Sequence, residues 1–514
     1  MPGSAGAQQH RHRPASQQCH PAHRIRPPHP RGSLVGPRTP ARGIPAPALR
    51  GGLGHPVGAV TSRCRDHRGA VTIEAAFFGH HEADPRALLY YEWCQRAESG
   101  YLVDDFAEEV RDLTHTEHPI PGACWRLLDR VARARRRPDW PYTEWIDAPE
   151  SGNLPELEPD PRPPIPAAEL LDRIHGGWLG RCAGCTLGKP LENGFVWTPE
   201  SIRAYLESHD AYPLRDYVPA PDPVPPEISS RRDWRAATLG GIDGCPRDDD
   251  IDYTILGLHL LERRGPAFTP DDVAALWLER MPFLQTYTAE RVAYRNLIDG
   301  FAPPDTASFR NPYREWIGAL IRADIHGYTH PGHPRRAAVA AARDASISHV
   351  GNGLWAAMWA SALVAAAFTA PDPAAALDTA HSVIPARSRL AVALAQVRDD
   401  HRGGASWDTA VAAIRARHGH YGWVHAIGNA CLITAGLLWG AGDFTNTIAF
   451  TVQGGWDTDS NGATAGSVAG VLTGASGIPA HWTAPFHDAV RSAVAGYGGS
   501  RISGLARRTR KLLG

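Results

Sequence analysis

Four aspartates stand within five residues of this sequence, at Asp248, Asp249, Asp250 and Asp252. They directly precede an apolar run with helical spacing, and capping or the helix dipole accounts for one or two acids at a helix start. Repulsion among the remaining carboxylates is relieved most simply by a hard divalent cation, with Mg²⁺ as the default ion. The run therefore predicts a metal site.

A second acidic cluster lies more than 200 residues further along the chain, at Asp457, Asp459 and Ser460. By itself, a D-x-D-S loop at a helix start is also compatible with a simple cap. Together with the first cluster, however, it supplies the oxygen ligands of a two-cation centre. We predict two Mg²⁺ ions, with Mn²⁺ as the alternative, and expect the two clusters to converge in the fold.

Two helices that adjoin these motifs carry a glycine at every fourth residue. The two sets are Gly176, Gly180, Gly184 and Gly188, and Gly462, Gly466, Gly470 and Gly474. Residues four apart share one helix face, and each internal glycine costs about 1 kcal/mol relative to alanine. We infer that the glycines permit close backbone approach, so that both helices pack centrally and fix the loops at their ends.

Helical spacing dominates the chain after residue 167, and strand-type alternation is almost absent, which predicts an all-α fold. A net charge of −1 argues against a dedicated nucleic-acid or anionic-membrane partner. The uncharged run 354–370 is too short and too rich in alanine for a membrane span. Eight cysteines without disulfide-framework spacing favour a reducing cytoplasm. The C-x-x-C pair of Cys182 and Cys185 lacks the second pair of a zinc site.

Composition divides the chain into four parts. Residues 1–71 are rich in Pro, Arg, His and Gly and predict a disordered tail. Residues 74–146 predict a small helical accessory unit, and residues 147–166 form a Pro-rich linker. Residues 167–514 are expected to form the main, catalytic domain.

The order of these motifs between residues 170 and about 482 resembles the ADP-ribosylglycohydrolase family. Members of that family read G-x-x-x-G-D-A-x-G-x-P-x-E where this chain runs from Gly180 to Glu192. They read T-D-D-T-x-M where it runs from Asp248 to Tyr253, and G-D-T-D-T where it runs from Trp456 to Ser460. A Ser-His pair stands between the two acidic motifs, and the joint order is highly specific.

The resemblance implies a compact orthogonal multi-helix bundle and a Mg²⁺-dependent hydrolase. Its expected substrate is an N- or O-glycosidic bond to ADP-ribose on a modified protein or another acceptor. By the same resemblance, Glu192 is the candidate catalytic carboxylate. The implied metal ligands are Asp248, Asp249, Asp250, Asp457, Asp459 and Ser460. The implied residues along the ADP-ribose cleft are Ser348, His349, Gly351 and Gly353.

Two of the substrate-binding candidates also have plainer interpretations. Trp456 is a candidate to stack on an adenine, although aromatic residues in apolar helices more often belong to the core. Without the resemblance, His349 would be interpreted as a capping or core histidine.

The chain departs from the family at two positions. Asp248 stands where the family has threonine, and we expect its added charge to tighten the metal and repel a substrate phosphate. Cys185 stands where the family has aspartate, so one contact of the site or the substrate is missing.

Two other functions compete with this one. One is a non-catalytic ADP-ribose-binding or structural relative, because enzyme folds also host other roles; retention of Glu192 and the matched aspartates argues against it. The other is a terpene-type Mg²⁺ enzyme, whose second motif, N-D-x-x-S-x-x-x-E, does not occur in the sequence.

Overall fold

The computed structural model describes residues 62–66, 69–73, 81–115, 120–144, 165–229 and 233–514. Residues 1–61 of the predicted tail lie outside the described residues. Its last part carries two short antiparallel strands, β1 (Ser62–Asp66) and β2 (Gly69–Ile73), where disorder was expected. The predicted linker 147–166 lies outside the described residues except for its last two positions.

Helices account for most of the described chain, which confirms the all-α prediction. The α-helices are α1 (Pro85–Glu98), α2 (Ala107–His115), α3 (Pro121–Val131), α4 (Ala167–Gly188), α5 (Pro199–Glu207), α6 (Pro226–Ser229), α7 (Asp249–Arg264), α8 (Pro270–Arg280), α9 (Thr288–Ile298), α10 (Asp305–Ser308), α11 (Asp324–Tyr328), α12 (Pro334–Ala345), α13 (Gly351–Ala367), α14 (Pro373–His381), α15 (Arg389–Arg402), α16 (Trp407–His418), α17 (Ala426–Gly440), α18 (Phe444–Gln453), α19 (Thr458–Thr473), α20 (Ala480–Thr483) and α21 (Ile502–Lys511). A second antiparallel pair, β3 (Ala489–Arg491) and β4 (Gly499–Arg501), precedes α21.

The glycine-bearing helices α4 and α19 pack backbone against backbone in antiparallel orientation. A Cβ atom on Gly184 would overlap the carbonyl oxygen of Gly462, and one on Gly180 would overlap that of Gly466. At the end of α4, a Cβ on Gly188 would overlap the carbonyl oxygen of Thr458. The inference that the glycines permit close approach is confirmed, and the contact fixes the end of α4 against the start of α19.

Helix α13 is the apolar segment that composition marked as a buried core helix. All of its residues from Gly351 to Ala367 are buried. Among the helices of the described residues, none combines the length and apolar character needed to cross a bilayer.

The N-terminal helices pack onto the rest of the chain. Residues 59–514 form one compact unit. Buried side chains of α1 and α3, such as Leu89 and Leu127, share an apolar cluster with Val292 of α9 and with Tyr313. The predicted accessory unit is therefore joined to the main bundle by a common core.

A buried group of charges also joins these parts, and we call it the arginine cluster: Arg389, Glu144, Glu315 and Asn352. Nε of Arg389 lies 3.0 Å from Oε2 of Glu144, and its Nη2 lies 2.6 Å from Oε2 of Glu315. The amide of Asn352 donates to both carboxylates, at 2.9 and 2.7 Å. Each carboxylate is thus paired with a fixed donor set, which is what burial of charge requires.

Candidate metal centre

Three helix ends supply the predicted metal ligands and the predicted catalytic glutamate. Glu192 follows a short 3₁₀ turn, Lys189–Leu191, at the end of α4. Asp248 caps α7, and its Oδ1 accepts a hydrogen bond of 3.2 Å from the backbone N–H of Asp250. Asp457 precedes α19, where the Thr458 hydroxyl donates to the carbonyl of Gly188 at 2.8 Å. The packing of α4 on α19 therefore brings Glu192 to the second acidic cluster.

A strained turn positions the second acidic cluster. Gly455 and Trp456 have φ angles of +77° and +61°, and the left-handed region is unfavourable for a bulky residue. The indole of Trp456 holds this turn by lying on Gly428, where a Cβ would overlap the ring. The backbone N–H of Asp457 donates to Oδ1 of Asn429 at 3.3 Å. Asp457 therefore enters α19 from a turn that its surroundings determine.

The two acidic clusters converge, as the sequence analysis expected. The Ser460 hydroxyl donates to Oδ2 of Asp250 at 3.2 Å, across 210 positions of sequence. Two groups with the spacing of metal ligands result, each with ligand atoms within 4.8 Å of one another. The first group is Cys185, Asp248 and Asp250, and the second group is Glu192, Asp457 and Asp459. We call these the first and second ligand groups, and together with Asp249 and Ser460 they form the acidic centre.

Most aspartates of the acidic centre are buried close to other carboxylates. Burial raises the pKa of Asp249, Asp250 and Asp457 well above the usual range of a carboxyl group. Neighbouring carboxylates add to this shift, with Asp248 acting on the first two and Asp459 acting on Asp457. Such mutual destabilisation of ionised carboxylates favours binding of a cation.

Asp248 behaves differently, because it has an internal partner. Burial opposes its ionisation, but the Lys189 ammonium, with Nζ 2.5 Å from Oδ2 of Asp248, holds the pKa of this carboxyl below its usual range. The expectation that Asp248 adds free negative charge is therefore wrong. Its charge is paired within the protein, so it does not supply the predicted repulsion of a substrate phosphate.

The donor set fits a hard divalent cation. Oδ1 of Asp250 is buried and accepts no hydrogen bond from the described residues, and its ion-pair contact with Nη2 of Arg181 is long, at 3.5 Å. The second ligand group offers three carboxylates, and carboxylate oxygens are the ligands that Mg²⁺ prefers. A cation there would offset charges that the fold brings into contact.

The Ser348–His349 pair lies in the protein interior. Both side chains are fully buried. The Ser348 hydroxyl accepts a hydrogen bond from Arg322 at 3.1 Å and lies 2.8 Å from Nδ1 of His349. Burial, reinforced by Arg322, lowers the pKa of His349 well below its usual value.

The two glycines of this predicted cleft occupy the start of α13. Gly351 has a φ of +51°, and a Cβ on Gly353 would lie 2.6 Å from the carbonyl oxygen of Arg314. The backbone conformation and packing here therefore favour glycine at both positions. Trp456 is 6% exposed and has the Arg415 guanidinium 5.2 Å from its ring centroid. Substrate binding by these residues stays a prediction.

Sequence reasoning missed the cations beside the acidic centre. Arg181 is fully buried in α4, donates to the Asp250 carbonyl and lies 2.6 Å from Asp324. A charge inside a glycine-rich helix was the available signal for it. Lys189 had a compositional signal, since the chain contains only two lysines.

The fourth aspartate of the first run has a structural role. Asp252 lies 2.7 Å from Nε of Arg247 and accepts a hydrogen bond of 2.9 Å from the backbone N–H of Ala493. It therefore ties α7 to the C-terminal segment and does not belong to either ligand group.

A comparison with protein-family models agrees with the predicted resemblance. A family model described as ADP-ribosylglycohydrolase matches residues 166–513. A search of curated proteins gave no match. Among solved structures, the chain is similar to one described as "ADP-ribosylglycohydrolase-related protein complex", with 20% identity and a TM-score of 0.42, over 68% of this chain and 100% of that one. The family match includes Glu192 and both acidic clusters.

Proposed function

Because this chain belongs to the ADP-ribosylglycohydrolase family, we propose that it hydrolyses an N- or O-glycosidic bond to ADP-ribose on a modified protein or another acceptor. The observation that carries the proposal is the convergence of Glu192 with two buried acidic clusters that lie far apart in sequence. A buried excess of carboxylates costs stability, which is typical of sites kept for function.

The resident cofactor in this proposal is Mg²⁺, with Mn²⁺ as the alternative. Asp249, Asp250, Asp457, Asp459 and Ser460 are the residues that would hold it, with Asp248 beside them. When bound, such a cation supplies positive charge that orients and polarises the ribose hydroxyls.

Glu192 is the proposed catalytic carboxylate. It is partly exposed and lies where the chain leaves the packed end of α4, within 4.8 Å of ligand atoms of Asp457 and Asp459. It would take a proton from water as the water oxygen bonds to C1″ of the ribose. The bond from C1″ to the acceptor breaks, and the acceptor leaves with the electron pair and is protonated by solvent.

The proposed partner is an ADP-ribosylated substrate, without sequence-specific recognition of nucleic acid. The proposed compartment is the cytoplasm. Six cysteines are free thiols in the structure, which suits a reducing environment.

The direct test is release of ADP-ribose from a panel of modified acceptors. Full-length protein is incubated with proteins ADP-ribosylated on arginine or on serine, with ADP-ribosylated nucleic acid and with small ADP-ribosides, in Mg²⁺ or in EDTA. Chromatography of free ADP-ribose should show release from at least one class in Mg²⁺ and none in EDTA. Tight binding of ADP-ribose without release from any class would favour the non-catalytic relative.

A further inference from the structure

The first ligand group already contains a cation that belongs to the protein. Nζ of Lys189 lies 2.5 Å from Oδ2 of Asp248 and donates to the backbone carbonyl of Arg247 at 3.1 Å. The Lys189 side chain is only 13% exposed. The chain uses lysine only here and at Lys511, so a lysine at this position stands out from an otherwise arginine-based set of cations.

Both partners of this pair are held in place by the fold. Lys189 directly follows Gly188, which packs against the backbone of Thr458. Asp248 is fixed as the cap of α7 through its hydrogen bond from the backbone of Asp250. The pair therefore joins two rigid helix ends, and separating it would leave a buried charge on each side.

A fixed charge also stands beside the other carboxylate of the first ligand group. Nη2 of Arg181 lies 3.5 Å from Oδ1 of Asp250, and the Arg181 side chain is fully buried. A divalent cation placed among Cys185, Asp248 and Asp250 would thus lie beside the Lys189 ammonium and near the Arg181 guanidinium, which Asp324 also pairs at 2.6 Å. In a buried site such like-charge repulsion is strong, because little solvent screens it.

The second ligand group offers a different setting. The charges that act most strongly on Asp457 are the carboxylates of Asp459 and Asp249, and Glu192 completes the group. A divalent cation here would meet an excess of negative charge, since Lys189 interacts with Asp459 more weakly than with Asp248. The two groups, though adjacent, are therefore not equivalent hosts.

We propose that the Lys189 ammonium takes the place of one of the two cations, so that this protein binds a single divalent ion in the second ligand group. The inference rests on the proposed cation-dependent function, and it replaces the expectation of two ions from the sequence. Asp248, which stands where the family has threonine, then has the role of holding the Lys189 ammonium at the first ligand group.

The test is the stoichiometry of bound Mn²⁺ in the full-length protein, measured by equilibrium dialysis with elemental analysis. Wild type should hold one ion per chain and show the electron paramagnetic resonance of an isolated Mn²⁺. Lys189→Met should hold two ions and show a spin-coupled pair, because the neutral side chain frees Asp248. Lys511→Met, the matched change at an exposed helix end, should stay at one.

A second variant guards against misfolding of the first. Lys189→Met combined with Asp248→Thr removes both charges and leaves no unpaired carboxylate at that position, and it should also hold two ions. Two ions in wild type would overturn the inference while leaving the proposed function intact. One ion in both folded Lys189 variants would also overturn it. No bound ion in any protein would overturn the proposed cation dependence as well.

Discussion

The acidic centre and the arginine cluster are both buried groups of charge, but they are balanced differently. In the arginine cluster, Arg389 contacts Glu144 at 3.0 Å and Glu315 at 2.6 Å, and an amide satisfies further oxygens. In the acidic centre, the second ligand group brings three carboxylates within 4.8 Å of one another. The first arrangement joins parts of the fold, whereas the second leaves carboxylates grouped so that they could hold a metal ion.

The carboxyl pKa values express this difference. Burial by itself raises the pKa of a carboxyl group, because it disfavours the charged form. In the arginine cluster, Arg389 and then His425 oppose burial, and the pKa of Glu315 falls below its usual range. In the acidic centre, Asp459 adds to the effect of burial, and the pKa of Asp457 rises. Neighbouring charge, and not burial, therefore distinguishes a carboxylate that stabilises the fold from one that is suited to binding a cation.

The largest expected effect is on turnover. Glu192→Gln keeps the shape of the side chain but cannot accept a proton, so ADP-ribose release should fall by about 10² to 10⁴-fold. Mn²⁺ should still bind, as measured by dialysis, because Asp457 and Asp459 remain in the second ligand group. Glu207→Gln, the same change on the exposed surface of α5, is the control and should leave turnover unchanged. A rate for Glu192→Gln within about threefold of wild type would assign the proton transfer to another group.

The next effect is on stability, in the arginine cluster. Arg389→Met leaves two buried carboxylates without their guanidinium and should lower the free energy of unfolding by about 3 to 5 kcal/mol. Denaturant unfolding measures this. Arg402→Met, at the exposed end of the same helix, should change it little. Equal effects of both substitutions would show that the buried pairing does not stabilise the fold.

A smaller effect distinguishes the two regions by its sign. Asp457→Asn relieves repulsion and should stabilise the metal-free protein by about 1 kcal/mol while weakening Mn²⁺ binding. Glu144→Gln is the same carboxylate-to-amide change in the arginine cluster and should destabilise the protein. Thermal melting in EDTA compares the two variants. Shifts of the same sign would remove the proposed contrast between the regions.

The smallest expected effect is on how much an added cation stabilises the protein at different pH values. Carboxyls with raised folded pKa values bind protons more tightly when folded, so metal-free stability falls as pH rises above the unfolded aspartate pKa of about 4. Glu315 has the opposite sign, and its contribution is lost only as pH falls towards its lowered folded pKa. The gain in melting temperature on adding Mg²⁺ should therefore grow from about pH 5 to about pH 8. A gain that is flat or falls over that range would contradict the raised pKa values.

Much of the fold around the acidic centre was predictable, because local sequence patterns indicate it. Glycines at every fourth residue predicted close backbone packing of both helices, and the structure shows that α4 and α19 pack on each other, which carries Glu192 towards Asp457. The acidic runs predicted their own convergence, because such charge density needs a shared cation. These signals are periodic or dense, so a single sequence shows them.

What the sequence did not predict depends on pairs that are distant along the chain. Lys189 reaches Asp248 across 59 positions, and Arg389 reaches Glu144 across 245, without any spacing that marks either pair. The contact of Ser348 with Arg322 was hidden for the same reason, since Arg322 approaches it from another element. Such tertiary charge pairing corrected the expectation for Asp248.

The central claim, that the unbalanced acidic centre is a cation-dependent hydrolytic site, is tested most directly by hydrolysis in water labelled with heavy oxygen. Wild type, Glu192→Gln and Asp457→Asn are compared on the acceptor class that gives release, in Mg²⁺ and in EDTA. Mass spectrometry of the released ADP-ribose should show heavy oxygen at C1″ for wild type in Mg²⁺, with little product from either variant or in EDTA. Release at the wild-type rate by Asp457→Asn, or undiminished release in EDTA, would contradict the account.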